Sequence, residues 1–62
     1  MKTKTYSLPW ENVDCLMAIR RIEMNIPCFT LIRDTDDDWY EVTITCREED
    51  VVYVERELAP YL

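Results

Sequence analysis

CFTLIRDTDDDWYEVTITC, residues 28–46, is the stretch that decides how this chain folds. Its second half, Trp39 to Cys46, alternates throughout: Tyr40, Val42, Ile44 and Cys46 fall on one side, and Trp39, Glu41, Thr43 and Thr45 on the other. A period of two is that of a half-buried strand. The first half, Cys28 to Arg33, is a short apolar run of strand composition. Between the two lies Asp34-Thr35-Asp36-Asp37-Asp38, and aspartate is a turn former. The strands are therefore expected to pair as an antiparallel hairpin. Tyr40, Val42, Ile44 and Cys46 should face the core, leaving an open face rich in threonine with Trp39 at its rim.

On the N-terminal side, Lys2 to Leu8 (KTKTYSL) alternates and suits a first strand. Pro9 and Trp10 break it, and Glu11, Asn12 and Asp14 supply the cap and first-turn acids of a helix. That helix is expected to reach about Met24, because Pro27 disfavours helical backbone at Ile26. At 100° per residue, Cys15, Leu16, Ile19, Ile22 and Ile26 gather on one side, and Val13, Met17 and Met24 nearly opposite. A helix lying on a small sheet buries one broad stripe. The Val13/Met17/Met24 stripe must then meet the last helix, a second subunit or a partner, and packing on the last helix is the ordinary outcome. Asp14, Arg21 and Asn25 form a polar strip on one flank.

On the C-terminal side, Thr45-x-x-Glu48 reads as a capping box, and Val51, Val54 and Leu58 recur at helical spacing before Pro60. VVYV has the composition of a strand. Cap and period agree, so a helix is favoured over 51–58. The order is β-α-β-β-α: a single small α+β domain over residues 1–62, a three-stranded antiparallel sheet with both helices on one face. In element order it resembles a ferredoxin-like or ACT-like unit lacking its last strand, which implies a fold and no function.

A chain of 62 residues buries only about 60% of its unfolded surface. Its net stability is expected to be on the order of 3–5 kcal/mol. Hydrophobic residues make up 48%, too many for a disordered chain. No apolar run is long enough for a membrane span and no leader precedes the first strand, so a cytoplasmic location is expected. Cys15, Cys28 and Cys46 form no CxxC pair and histidine is absent, which argues against zinc and for buried, reduced thiols.

The aspartate loop invites a calcium reading, since Asp34, Asp36 and Asp38 fall on the first, third and fifth loop positions. The rest of the pattern fails. Trp39 stands where the sharp turn needs glycine, and Thr45 where a bidentate glutamate is needed. No metal or other cofactor is expected. Enzyme chemistry also lacks material: there is no histidine, no glycine and only Ser7 as a serine, so no nucleophile, base and oxyanion set assembles. A non-enzyme is expected.

What remains is charge. Thirteen acids against seven bases give −6, which repels nucleic acid and anionic membranes and suits a basic protein partner or simple solubility. Asp34, Asp36, Asp37, Asp38 and Trp39 at one end of the third strand, Glu41 within it, and Glu48, Glu49 and Asp50 at the other end are the candidate partner-binding residues. The clusters should lie roughly 25 Å apart at ~3.4 Å per residue. A solvated turn and a helix-dipole role are the plainer explanations. With Asp34–Asp38, Glu48–Asp50 and its overall acidity, the chain resembles small phage-encoded DNA-mimic inhibitors, including anti-CRISPR proteins. That resemblance implies an inhibitor that blocks a basic nucleic-acid-binding channel of a nuclease or CRISPR effector, without cofactor. The alternative is a small structural or regulatory subunit, monomer or homodimer, acting through its sheet edge or its methionine stripe.

Overall fold

The computed structural model describes residues 1–9, 11–35 and 38–62. It is a small α+β domain in the expected order: β1 (Lys2–Pro9), α1 (Val13–Asn25), β2 (Cys28–Asp34), β3 (Trp39–Cys46) and α2 (Val51–Leu58), with single 3-10 turns at Glu48–Asp50 and Ala59–Tyr61. The three strands form one antiparallel sheet in the order β1-β3-β2. The hairpin strand β3 is thus central, pairing Tyr6 with Val42 on one side and Ile32 with Val42 on the other.

Local chemistry accounts for the element ends. Asn12 caps α1, its side-chain oxygen accepting from the Asp14 N–H at 3.0 Å. Ile26, held extended before Pro27, closes the helix by donating to the Ile22 carbonyl at 3.1 Å. The capping box read at Thr45 and Glu48 does not form. Thr45 stays in β3 and its hydroxyl meets that of Thr3 across the strands at 2.9 Å. The chain turns through Glu48–Asp50 instead, where Asp50 donates to the Arg47 carbonyl at 2.9 Å. The residues 51–58 are helical, so period outweighs the strand composition of VVYV. Pro60 does not end the helical path, because it occupies the first turn of the following 3-10 segment, where proline needs no donor.

One core joins the layers: Tyr6 and Leu8 from β1, Val42, Ile44 and Cys46 from β3, Cys15, Ala18, Ile19 and Ile22 from α1, and Val54 and Leu58 from α2. Burying one such aliphatic side chain stabilises by about 1.5–3 kcal/mol. The strand β2 contributes no fully buried side chain, a fact that matters below.

The helix faces hold one correction. The Val13/Met17/Met24 stripe does not pack on α2; Met24 is 80% exposed. The flank read as polar meets α2 in its place: Arg21 Nε donates to Glu57 Oε2 at 3.3 Å and Asn25 Nδ2 to the Tyr53 hydroxyl at 3.1 Å. The reason is Ala18, which lies on that same flank and is fully buried. Its small side chain lets α2 approach where a longer residue would hold it off.

Cys15 and Cys46 are buried and Cys28 is half-buried, all as free thiols. Burial pushes each of the three thiols above its ordinary value near 9.0. In the unfolded chain the thiols ionise first as pH rises, so the contribution is intact below about pH 9 and is lost above it. Burial, helped by the Glu55 charge, raises Tyr6 above 10.0 with the same sign. The urea midpoint should therefore hold from neutral pH to about 9 and fall beyond it. A thiol reagent without denaturant should label Cys28 first and Cys15 and Cys46 slowly; immediate labelling of all three would contradict these faces.

Candidate protein-binding surface

The sheet has two unlike faces. The helices cover one. The other is open, and the strand register arranges it in rows: Thr3, Thr45 and Phe29; Thr5, Thr43 and Leu31; Ser7, Glu41 and Arg33; and Pro9 beside Trp39. Threonine hydroxyls meet across the strands, Thr3 with Thr45 at 2.9 Å and Thr5 with Thr43 at 3.1 Å. Such pairs tie the strands together and leave methyl groups outward. Phe29 is 73% exposed, Leu31 59% and Trp39 44%. Three large apolar side chains on one open face, fringed by polar groups, have the make-up of an interaction surface.

Trp39 was expected at the rim and is found there. Phe29 and Leu31 were not singled out in the sequence. The signal was present, since both alternate with Cys28, Thr30 and Ile32 and pair with Thr45 and Thr43, so they must share the open face. A short apolar run suggests a strand buried on both sides, and that impression hides its outer residues.

The acids divide by their surroundings. Asp34 ends β2 and Asp38 begins the return; both are exposed, and among the described residues neither forms an ion pair. Asp36 and Asp37 lie outside the described residues. Asp38 has φ +60°, the left-handed region that aspartate tolerates better than most side chains. In a chain without glycine, it closes the hairpin. The Thr35 hydroxyl fixes the same turn by donating to the Trp39 carbonyl at 2.9 Å. Glu41, half-buried on the open face, lies 3.8 Å from Arg33.

The second cluster sits at the far end of β3 and is partly compensated. Arg47 reaches Asp50 at 2.8 Å and Glu49 at 3.3 Å. The hydrogen bond to Asp50 holds the Arg47 guanidinium still more firmly protonated. Glu48 is exposed and has no ion pair among the described residues. The structure thus brings Asp34, Asp38, Trp39 and Glu41 to one end and leaves Glu48, Glu49 and Asp50 at the other. Thr43, Thr45, Phe29 and Leu31 occupy the interval.

Among the described residues no group of three histidine, cysteine or acidic side chains is placed to hold a metal ion. Adding EDTA should leave the melting temperature unchanged, and a fall of several degrees would restore the calcium reading of the loop. Among the same residues no helix is long and apolar enough to cross a membrane. No family model, curated protein or solved structure matches the chain.

Proposed function

We propose that this chain is a non-enzymatic protein-binding module. It would seat a partner on its open sheet face and address basic residues of that partner with the acidic hairpin tip. The observation that carries the reading is the adjacency of two unsatisfied features, the exposed Phe29, Leu31 and Trp39 and the uncompensated Asp34 and Asp38. An apolar centre with a charged rim is the usual anatomy of a protein interface: the centre and close charge pairs at the rim both contribute affinity, and the charge also sets orientation and encounter rate. The net charge of −6 strengthens attraction to a basic partner.

Inhibition of a nuclease or CRISPR effector through its nucleic-acid channel is the narrower form of this reading, and its support is acidity and size. As a mimic of DNA the surface is interrupted. Arg33 pairs with Glu41, and Arg47 bridges Glu49 and Asp50, so cations interrupt the line of acids between the tip and the far cluster. Contact by tip and apolar face fits the geometry better than contact by a charged rail. The test is Trp39→Ala together with Leu31→Ser, both at exposed positions. Folding should be retained while binding to the captured partner is lost. Full binding by this double variant would remove the open face from the interface.

A further inference from the structure

We propose that two copies of this chain join edge to edge through β2, antiparallel, about a two-fold axis at Leu31, forming one six-stranded sheet. This goes beyond the binding of a partner at the hairpin tip and does not depend on it.

The two edges of the sheet differ in kind. The outer strand β1 (KTKTYSLP) carries Lys2, Lys4 and Pro9, residues that blunt an edge against further pairing, and Lys4 is tied to Glu55 of α2 at 3.2 Å. The outer strand β2 (CFTLIRD) has no lysine and no proline, and among the described residues no strand lies beyond it. Phe29 and Leu31 stand exposed along it, with Ile32 at 43%. An exposed edge with apolar side chains and none of these blunting residues recruits another strand.

The backbone phase names the register. Thr35 donates to the Trp39 carbonyl at 3.2 Å, so the residues that exchange bonds with β3 are those in step with Thr35: Phe29, Leu31 and Arg33. Cys28, Thr30, Ile32 and Asp34 then aim their N–H and C=O groups at the empty side. Antiparallel pairing about Leu31 sets Thr30 against the partner's Ile32, and Cys28 against the partner's Asp34. All four outward residues of each copy are then bonded. A one-residue slip would oppose outward groups to inward ones, and a two-residue slip would leave one of the four unmatched.

The side chains agree with that register. Leu31 meets the partner's Leu31 as a pair without backbone bonds, the kind in which side chains come closest, with Cα atoms about 4.5 Å apart. Phe29 lies opposite the partner's Arg33, a cation against an aromatic face. On the helix side, Glu23 accepts a hydrogen bond from Thr30 at 2.9 Å, and Arg20 lines the same groove beside Ile32. Pairing Thr30 with the partner's Ile32 therefore brings Glu23 level with the partner's Arg20. The axis also carries the two acidic tips to opposite ends. They stand roughly 24 Å apart, the length of β2 at ~3.4 Å per residue, against a screening length of about 8 Å. Each tip instead comes beside the Cys28 end of the other copy, next to the acids at 48–50, where Arg47 bridges Glu49 and Asp50.

Light scattering on a sizing column, at high micromolar concentration, is the test. Wild type should have twice the 7.5 kDa of one chain. Leu31→Lys places two ammonium groups at the axis and should give the monomer with an unchanged circular dichroism spectrum. Ile32→Pro removes an outward N–H that β3 does not use and should do the same. Leu31→Cys should cross-link to its partner copy on mild oxidation, while wild type, with Cys28 alone near the joint, should not. A monomeric wild type overturns the proposal, as does a dimer that survives Leu31→Lys. A dimer broken by Met24→Lys and indifferent to Leu31→Lys would move the joint to α1 and overturn it too. Persistence of the dimer with no cross-linking of Leu31→Cys would overturn the register. No binding partner enters these measurements, so their failure leaves the tip-and-face reading untouched.

Discussion

Ile22→Ala is expected to leave this chain largely unfolded. Ile22 is fully buried at the middle of the single core, where α1 meets the sheet. Removing its outer carbons forfeits their transfer free energy and opens a cavity, a loss of about 2–5 kcal/mol in such sites. The whole domain has only on the order of 3–5 kcal/mol to lose. The comparison that isolates the cause is Met24→Ala on the same helix. Met24 is exposed, so its loss should change stability by no more than about 0.5 kcal/mol. Urea titration followed by circular dichroism checks both. A well-folded Ile22→Ala protein with a near-normal midpoint would mean that the core is not centred on α1.

Replacing Asp36, Asp37 and Asp38 together by asparagine should have the opposite profile, with binding lost and folding kept. Clustered carboxylates repel one another, so neutralising them leaves stability unchanged or slightly raised. Asparagine keeps the turn-forming geometry and is as tolerant as aspartate of the left-handed backbone at Asp38. Close charge pairs across an interface are worth on the order of 1.5 kcal/mol or more each. Three engaged pairs would come to about 4.5 kcal/mol, a weakening of about a thousandfold or more. The same treatment of Glu48 and Glu49 should matter little for the partner, because that end lies a strand's length from the tip. Equal losses from both ends would favour an extended charged track of the DNA-mimic kind.

The hairpin was legible because alternation over Trp39–Cys46 admits one reading, and β3 occupies those residues. The first helix was legible from its cap and from Pro27. The partner of each helix face was not. A helical wheel ranks faces by polarity, whereas α2 chose the flank where Ala18 allows close approach and where Arg21 and Asn25 find Glu57 and Tyr53. The capping box failed for a related reason: Thr45 had a competing partner in Thr3, distant in sequence and adjacent in the sheet. The acidic clusters were visible as charge, but their compensation was not, because Arg33 and Arg47 meet their carboxylates through strand and turn geometry. Phe29 and Leu31 became candidates only once the register put them on the open face. Short-range periodicity thus carried the elements, and pairing between distant segments carried the surface.

Capture of a partner from a cell lysate on immobilised wild-type protein and on the Asp36→Asn, Asp37→Asn, Asp38→Asn variant, each at low and at high salt, tests the central claim most directly. A contact made by an acidic tip weakens as salt screens it, whereas a purely apolar contact does not. The expected result is a partner held by wild type at low salt, released at high salt, and held poorly by the variant under both conditions. A partner held equally well by both proteins, at both salt concentrations, would contradict the account and reduce RDTDDDWY, residues 33–40, to a solvated turn.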